Sequence, residues 1–244
     1  MPKLLVIIPA YNEEASILGT IADLRAHVPE ADYLVINDCS QDSTLQVLRE
    51  HGINHVDLPL NLGIGGGVQT GYKYAAEHGY DIAVQFDGDG QHRADCLHKL
   101  IQPLLYGQAD MTVGSRFIPE DGERKGFQSS ALRRLGINLL SSLIRLCTGK
   151  SVRDVTSGFR ACNKSLIHLF ANHYAQDYPE PEAIVTALVT GYRVQEVPVT
   201  MNERQGGVSS INALKSVFYM IKVSLAILLA GLRLGSRKEL KRHA

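Results

Sequence analysis

The segment DIAVQFDGDGQH (Asp81–His92) begins as a mostly apolar strand and runs directly into a pair of acids. The run from Ile82 to Phe86 has the length and composition of a buried strand. Asp87 and Asp89 follow it, separated by one glycine that permits a tight turn of the backbone. The segment therefore predicts a strand of a sheet that carries two carboxylates at its carboxyl end.

Three similar strands precede this segment, and helical patterns separate them. The predicted strands are LLVIIP (Leu4–Pro9), DYLVIND (Asp32–Asp38) and INHVDLP (Ile53–Pro59). This alternation is typical of βαβ units, whose right-handed crossovers bring the carboxyl ends of parallel strands to one edge. We therefore predict an α/β fold with a Rossmann-like, mostly parallel sheet flanked by helices.

Polar residues stand at the carboxyl ends of all four predicted strands, where ligands of open α/β sheets bind. Polar residues after a single strand are typical of an ordinary loop, but polar residues after four successive strands indicate a binding site at this edge. The residues are Asn12 and Glu13, Asp38 and Ser40, Asn61 and Gly63, and Asp87 with Asp89.

The acid pair suits a hard divalent cation. Mg²⁺ and Mn²⁺ prefer oxygen ligands and bind through one or two carboxylates together with substrate phosphates. The predicted metal ligands are Asp87 and Asp89. The alternative is a plain turn, because Asp and Gly are favoured in turns for conformational reasons.

Two further segments have both a binding and a structural interpretation. Asp38 can accept hydrogen bonds from a nucleobase or a ribose, or it can compete with Ser40 and Asp42 to cap the following helix. The glycine-rich NLGIGGG (Asn61–Gly67) lacks the complete dinucleotide fingerprint and follows the third strand, so it only weakly indicates NAD. A phosphate approaching bare backbone there is the remaining binding interpretation.

Charge divides the chain into an acidic body and a basic tail. From Glu203 onward eight Lys and Arg face two Glu, which gives +6, while the preceding part carries 17 basic and 23 acidic residues. We predict a catalytic domain over residues 1–210 and a basic amphipathic tail over 211–244. The four cysteines form no closely spaced pair and no secretory leader is recognisable, which favours a reducing cytoplasm.

Eight segments in order resemble family 2 of the nucleotide-sugar glycosyltransferases, which have the GT-A fold. Within that family the likeness is to dolichyl- and polyprenyl-phosphate sugar synthases and to cell-surface polysaccharide enzymes. The segments are VIIPAYNEE, INDCSQDST, NLGIGGGVQTG, QFDGDGQH, GSRF, TSGFR, EVPV and ERQGGVSS, which together span Val6–Ser210.

The resemblance implies roles for individual residues. The acid pair corresponds to the metal-binding acids, with Asp89 as the direct ligand, and Gln91 lies beside it near the donor sugar and acceptor. Arg204 corresponds to a basic residue on a segment that closes over the diphosphate. The implied donor-binding residues are Pro9, Tyr11, Glu13, Asp38, Asn61, Gly63, Asp87, Arg116 and Ser209.

The resemblance also implies a carboxylate that faces the acceptor, and here the sequence leaves alternatives open. Glu182 stands fourteen residues before Glu196, which matches the family spacing, but its context PEPE departs from the family pattern. Glu180 and Asp154 are rival candidates. A sugar hydroxyl acceptor needs such a base, whereas a lipid phosphate is already ionised and needs none.

Taken together, these features predict a metal-dependent inverting transferase that moves a sugar from a UDP- or GDP-sugar to a polyprenyl phosphate or lipid-linked glycan. The alternatives are a sugar-phosphate nucleotidyltransferase, which would more typically carry a lysine-bearing glycine-rich signature near the N-terminus, and a non-catalytic module docked on a membrane. No nucleic acid is expected among the partners.

The tail predicts a location at the inner face of the cell membrane. Its uninterrupted apolar core, Val223–Leu232, is too short to cross about 30 Å of hydrocarbon. Basic residues follow at once, as in a helix lying in the membrane interface. The alternatives are a helix packed on the domain or between the copies of a homo-oligomer, and a small membrane partner is a further expectation. The helix Ala131–Cys147 is either a second membrane contact or a cover for the sheet.

Overall fold

The computed structural model describes residues 2–118, 131–202 and 221–229, with only the backbone described for 131–133. The first half of the chain alternates strands and helices as the sequence predicts. The elements are β1 (Leu4–Ala10), α1 (Ile17–His27), β2 (Asp32–Asn37), α2 (Thr44–Glu50), β3 (His55–Asp57), α3 (Gly63–Glu77) and β4 (Ile82–Gln85).

The second half begins with a 3₁₀ turn at Ala94–Cys96 and mixes strand directions. Its elements are α4 (Leu97–Leu105), β5 (Met111–Ser115), α5 (Ala131–Thr148), β6 (Arg160–Asn163), α6 (Lys164–Asn172), α7 (Pro179–Val189) and β7 (Val194–Pro198). Residues 221–229 of the tail are helical, and the rest of the tail lies outside the described residues.

One sheet of seven strands in the order β3-β2-β1-β4-β6-β5-β7 organises the domain. β1 pairs in parallel with β2 and β4, β2 with β3, and β5 with β7, while β6 runs antiparallel between β4 and β5. The sheet is therefore mostly parallel, and the predicted fold class is confirmed.

The sheet is buried on both faces, as its apolar strands require. Alternate residues of β1 enter two different core clusters: Leu5 and Ile7 face one, while Val6 and Ile8 face the other. Helices α3, α5, α6 and α7 cover the first face, and α1, α2 and α4 cover the second. The helices thus leave the carboxyl edge of the parallel strands to the loops.

The glycine-rich segment is a helix and not a loop. Gly65, Gly66 and Gly67 are buried in the first turns of α3. A Cβ at Gly65 would lie 2.3 Å from the carbonyl oxygens of Ala175 and Gln176. These glycines allow α3 to pack closely on the chain that follows α6, so the expectation of bare backbone open to a phosphate is wrong for them.

All four cysteines are free. Within the described parts of the chain, none of the helices combines the length and apolarity that a bilayer crossing requires.

Candidate active site

The acid pair lies in the turn just beyond β4, residues 87–92 and here called the acid turn, where the sequence predicts it. The N–H of Asp87 donates to Nδ1 of His92 at 2.9 Å, and the N–H of Gln91 donates to Oδ1 of Asp89 at 3.0 Å. Asp87 and Asp89 are both half-buried. The turn is therefore fixed by main-chain donors, while both carboxylates keep access to solvent.

His92 supports the turn from inside the protein. Its ring stacks on Phe159, with centroids 4.9 Å apart, and burial lowers its pKa against the opposing effect of Asp87 and Asp89. Because Nδ1 accepts a hydrogen bond from the Asp87 N–H, the neutral ring carries its proton on Nε2, which lies 3.5 Å from Oδ2 of Asp87. A neutral His92 thus contacts both the backbone and the carboxylate of Asp87.

Two glycines allow the chain to approach the acid pair closely. A Cβ at Gly158, in the TSGFR segment, would lie 2.7 Å from Oδ2 of Asp87. A Cβ at Gly88 would lie 3.2 Å from the carbonyl oxygen of Pro9 and 3.6 Å from Cγ of Glu13. The segments after β1 and before β6 therefore lie directly against the acid turn.

The loops after β1 and β2 are joined by hydrogen bonds. The N–H of Asn12 donates to Oγ of Ser40 at 3.0 Å, and Oδ1 of Asn12 accepts the N–H of Gln41 at 2.7 Å. The N–H of Glu13 donates to Oγ1 of Thr44 at 2.9 Å. Tyr11 is exposed at the tip of this pair of loops, so its ring is available to a ligand.

Asp38, Asn61 and Gly63 come together at the ends of β2 and β3. Oδ1 of the buried Asp38 accepts the N–H of Leu62 at 2.7 Å, and the side chain of Asn61 donates to the Asp38 carbonyl at 3.0 Å. The N–H of Gly63 donates to Oδ1 of Asn61 at 3.2 Å. Asp38 does not cap α2, because Ser43 is the N-cap and Asp42 accepts the N–H of Thr44.

Arg116 is held in a bidentate ion pair at the end of β5. Its Nε and one terminal nitrogen donate to the two carboxylate oxygens of Asp154 at 2.8 and 2.7 Å. Asp154 also accepts the Arg116 N–H at 3.0 Å and donates its own N–H to Glu196 at 2.8 Å. The structure thus gives Asp154 a clear structural partner, which makes it a poor candidate for a base.

The two glutamates of the first turn of α7 have different surroundings. Burial raises the pKa of Glu180, and the negative charge of Asp87 raises it further against the opposing charge of Arg160. Burial also raises the pKa of Glu182, but the charge that adds to this effect is Asp177. Of the two glutamates, Glu180 is therefore the one whose pKa is affected by Arg160 and, to a smaller extent, by Asp87.

Arg160 is a site residue whose role the sequence does not reveal, although it ends the TSGFR motif. It is fully buried on β6, opposite Gln85 of β4. Its guanidinium donates to the carbonyl oxygen of Ser157 and, at 2.9 Å, to that of Glu180. Arg160 therefore links the turn beside Asp87 to the start of α7.

Arg204 and Ser209 lie outside the described residues. The chain does approach the acid turn just before them, because the N–H of Asn202 donates to the carbonyl of Gln91 at 2.9 Å. The side chain of Asn202 also donates to the Gly90 carbonyl at 3.2 Å.

The residues around the acid turn fit a metal that is shared with a substrate. In residues 2–118, 131–202 and 221–229 no group of three or more His, Cys, Asp and Glu could hold an ion on its own. Two accessible carboxylates are nevertheless the donor set with which Mg²⁺ binds when substrate phosphates complete its coordination.

Known proteins resemble this chain along most of its length. It is 30% identical over 220 residues to an undecaprenyl-phosphate mannosyltransferase of Micrococcus luteus, covering 86% of this chain and 88% of that protein. It is 32% identical over 214 residues to a UDP-N-acetylglucosamine–dolichyl-phosphate N-acetylglucosaminyltransferase of Methanococcus voltae, covering 80% and 83%.

A similar fold is found in glucosyl-3-phosphoglycerate synthase of Mycobacterium tuberculosis, whose crystal structure contains Mn²⁺, UDP and phosphoglyceric acid. The TM-score is 0.70 at 21% identity, covering 94% of this chain and 78% of that one. The sequence also matches the family description "Glycosyl transferase family 2" over residues 5–170. The chain belongs to glycosyl transferase family 2.

Proposed function

We propose that this chain transfers a sugar, with inversion, from a nucleotide-sugar donor to polyprenyl phosphate or a related lipid-linked acceptor at the cytoplasmic face of the membrane. The observation that carries the proposal is the meeting of the acid turn, the β1 and β2 loops and Asp38 at one edge of the sheet. The names of the two relatives supply the acceptor class, since both describe transferases that use a polyprenyl or dolichyl phosphate.

The nucleotide half of the donor is expected over the ends of β1 and β2. Asp38 is fixed by the Leu62 N–H, so its carboxylate can accept from a base or ribose without reorganising. Tyr11 offers an exposed ring beside it. A donor bound to these groups would extend from the end of β2, across the end of β1, to the acid turn at the end of β4.

The diphosphate is expected at the acid turn, with Mg²⁺ or Mn²⁺ held by Asp87 and Asp89. When bound, such an ion neutralises the negative charge that grows on the leaving diphosphate. The chain's own contribution is to hold the backbone and carboxylate of Asp87 against His92 and to fix the Asp89 carboxylate through the Gln91 N–H. Arg204, with Ser209 in the same segment, remains the predicted cationic partner of the diphosphate.

A phosphate acceptor removes the need for a strong general base, because its oxygen is ionised near neutral pH. Glu182 therefore stays a prediction whose importance depends on the acceptor. For a hydroxyl acceptor both Glu180 and Glu182 are candidate bases, because both lie in the first turn of α7 and burial raises the pKa of each. Gln91, whose main chain is bonded to Asp89 and Asn202, is expected to border the transferred sugar.

The test is transfer of a radiolabelled sugar into lipid by the purified full chain. The protein is incubated with UDP- or GDP-sugars and detergent-dispersed undecaprenyl phosphate, with Mg²⁺, Mn²⁺ or EDTA, and the lipid is then extracted. We expect label in the organic phase that requires both the acceptor and a divalent ion.

The paired variants are Asp89→Asn and Asp95→Asn. Asp95 is an exposed acid six positions further along the chain that pairs with Arg93, so its loss controls for a general loss of charge. Transfer should be lost in the first variant and kept in the second. Failure of every donor to label lipid, or release of pyrophosphate from a nucleoside triphosphate and a sugar phosphate, would exclude the proposed activity.

A further inference from the structure

The outward face of α5 carries three exposed leucines. Ile137, Leu140 and Ile144 are buried in the core, which fixes the orientation of the helix. The leucines at positions 135, 139 and 146 lie on the opposite side and are between 51% and 77% exposed. These three leucines are therefore turned towards solvent, although an ordinary surface helix presents polar residues there.

The helical segment 221–229 repeats this arrangement. Val223 and Ile227 are buried in the same core cluster as the inner face of α5. Ile221, Leu225, Leu228 and Leu229 are between 37% and 62% exposed. Two helices anchored in one cluster thus present seven large apolar side chains outward, which is unusual for a surface that faces only water.

The charge on both helices has a single sign. The sequence contains no Asp or Glu over residues 131–153 or over residues 204–238, but it contains several Arg and Lys in each. Arg134, Arg145 and Lys222 are exposed on the two helices. Apolar side chains bordered by cations, with no acids, are complementary to the surface of an anionic bilayer.

We propose that these two outward faces, here called the leucine face, dock the domain on the surface of an anionic membrane. The inference deepens the proposed function and rests on it in part, because a polyprenyl acceptor is held in a bilayer. A second copy of the chain is a weaker occupant, since a two-fold contact through this face would bring the arginines of α5 towards their own copies.

The segment that follows α5 links this helix to the acid turn. The hydroxyl of Ser141 in α5 donates to the Val152 carbonyl, and Asp154 and Gly158 follow within six residues. Gly158 lies against Asp87. Docking through α5 would therefore hold the segment beside the acid turn close to the lipid surface, where an acceptor phosphate is found.

The test is flotation of the full chain with vesicles of phosphatidylcholine, with and without phosphatidylglycerol. One variant combines Leu135→Ser, Leu139→Ser and Leu146→Ser, and a second combines Ile221→Ser, Leu225→Ser and Leu228→Ser. The control combines Leu105→Ser and Tyr106→Ser at the end of α4, two side chains that are 48% and 69% exposed outside the leucine face.

We expect wild type and control to float with anionic vesicles, and each triple variant to bind at least about tenfold more weakly, because three apolar side chains no longer enter the interface. Circular dichroism and thermal melting show that the variants fold. Unchanged flotation of the α5 variant would overturn the proposal. The proposal would also be overturned if the wild type did not bind vesicles but formed a dimer that was absent in the triple variants.

Transfer to detergent-dispersed acceptor separates this proposal from the proposed function. A variant that fails to float but still labels detergent-dispersed lipid supports both. A wild type that floats through the leucine face without transferring any sugar supports docking and removes the proposed reaction.

Discussion

Replacing Gly158 by alanine should damage the site while leaving the fold intact. The added methyl group would point at the carboxylate of Asp87, with Cβ 2.7 Å from Oδ2 and 3.1 Å from Oδ1. The backbone of Gly158 is not in the left-handed region, so alanine itself introduces no torsional strain there. What must move is the end of the Asp87 side chain.

The size of the effect follows from that distance. Ordinary contact begins at 3.4 Å, so the carboxylate must shift by about 0.7 Å, which also disturbs its approach to Nε2 of His92. A misplacement of this order in a reacting group costs roughly 10- to 100-fold in kcat/KM. The free energy of unfolding should change by less than about 1 kcal/mol, because the displaced group is partly exposed.

The assay compares Mn²⁺-dependent nucleotide affinity, transfer rate and thermal unfolding of Gly158→Ala with those of Gly71→Ala. A Cβ at Gly71 would lie 2.2 Å from Cγ2 of Ile7, inside the core and not against a carboxylate of the acid pair. Overpacking of that kind costs about 1–3 kcal/mol of stability. We expect Gly158→Ala to lose affinity and rate at an almost normal melting temperature, and Gly71→Ala to show the reverse.

The reasoning would be refuted if Gly158→Ala bound nucleotide and Mn²⁺ like the wild type. It would also fail if both variants lost stability and activity in the same proportion, because the two glycines would then act only through the fold.

Three further substitutions test other parts of the site. Asp89→Asn should abolish metal-dependent nucleotide binding in calorimetry and leave the melting temperature nearly unchanged, since the residue is half-buried at a turn. Arg160→Met should lower the free energy of unfolding in urea by about 2–4 kcal/mol, because the carbonyls of Ser157 and Glu180 lose buried donors. The free energy of unfolding of Glu180→Gln should increase relative to that of the wild type as pH rises from acid to neutral. The Glu180 carboxyl ionises near pH 4.5 in the unfolded chain, whereas burial raises its pKa in the folded protein. The stability of the wild type therefore falls as pH rises above 4.5. Urea unfolding of both proteins at a series of pH values measures the difference.

The sheet could be predicted because its signals are local. Apolar runs such as Leu4–Pro9 and the polar residues after them specify strands and strand ends without reference to distant parts of the chain. The antiparallel placement of β6 between β4 and β5 was not predicted, because pairing partners are chosen by packing across the whole sheet. The four-residue segment Arg160–Asn163 contains nothing that reports the direction of its neighbours.

The glycine-rich segment shows the limit of composition as a guide. NLGIGGG suggests a loop, because glycine is costly in a helix by up to about 1 kcal/mol per residue relative to alanine. In the structure that cost is offset by close packing, since no side chain fits at Gly65 or Gly71. This close packing is visible only in the structure, where Ala175 lies against Gly65 and Ile7 lies against Gly71.

Arg160 escaped prediction for a related reason. A buried arginine is rare, and nothing in the sequence around Gly158-Phe159 indicates that the following arginine points into the core. Its guanidinium donates hydrogen bonds to the carbonyl oxygens of Ser157 and Glu180, which would otherwise lack these buried donors. The motif identified the segment, but the role of this side chain depends on α7, which lies about twenty residues further along.

Three of the acids near the site each accept a main-chain N–H. Asp89 accepts the N–H of Gln91, and Asp38 accepts that of Leu62, which belongs to the chain after β3. Asp154 accepts the N–H of Arg116, from the end of β5. Because these donors belong to the loops that follow the strands, folding brings the carboxylates into place before any donor sugar binds, and binding does not have to organise them. The geometry of the site is therefore a property of the sheet edge, and the same motif residues on a differently ordered sheet would not reproduce it.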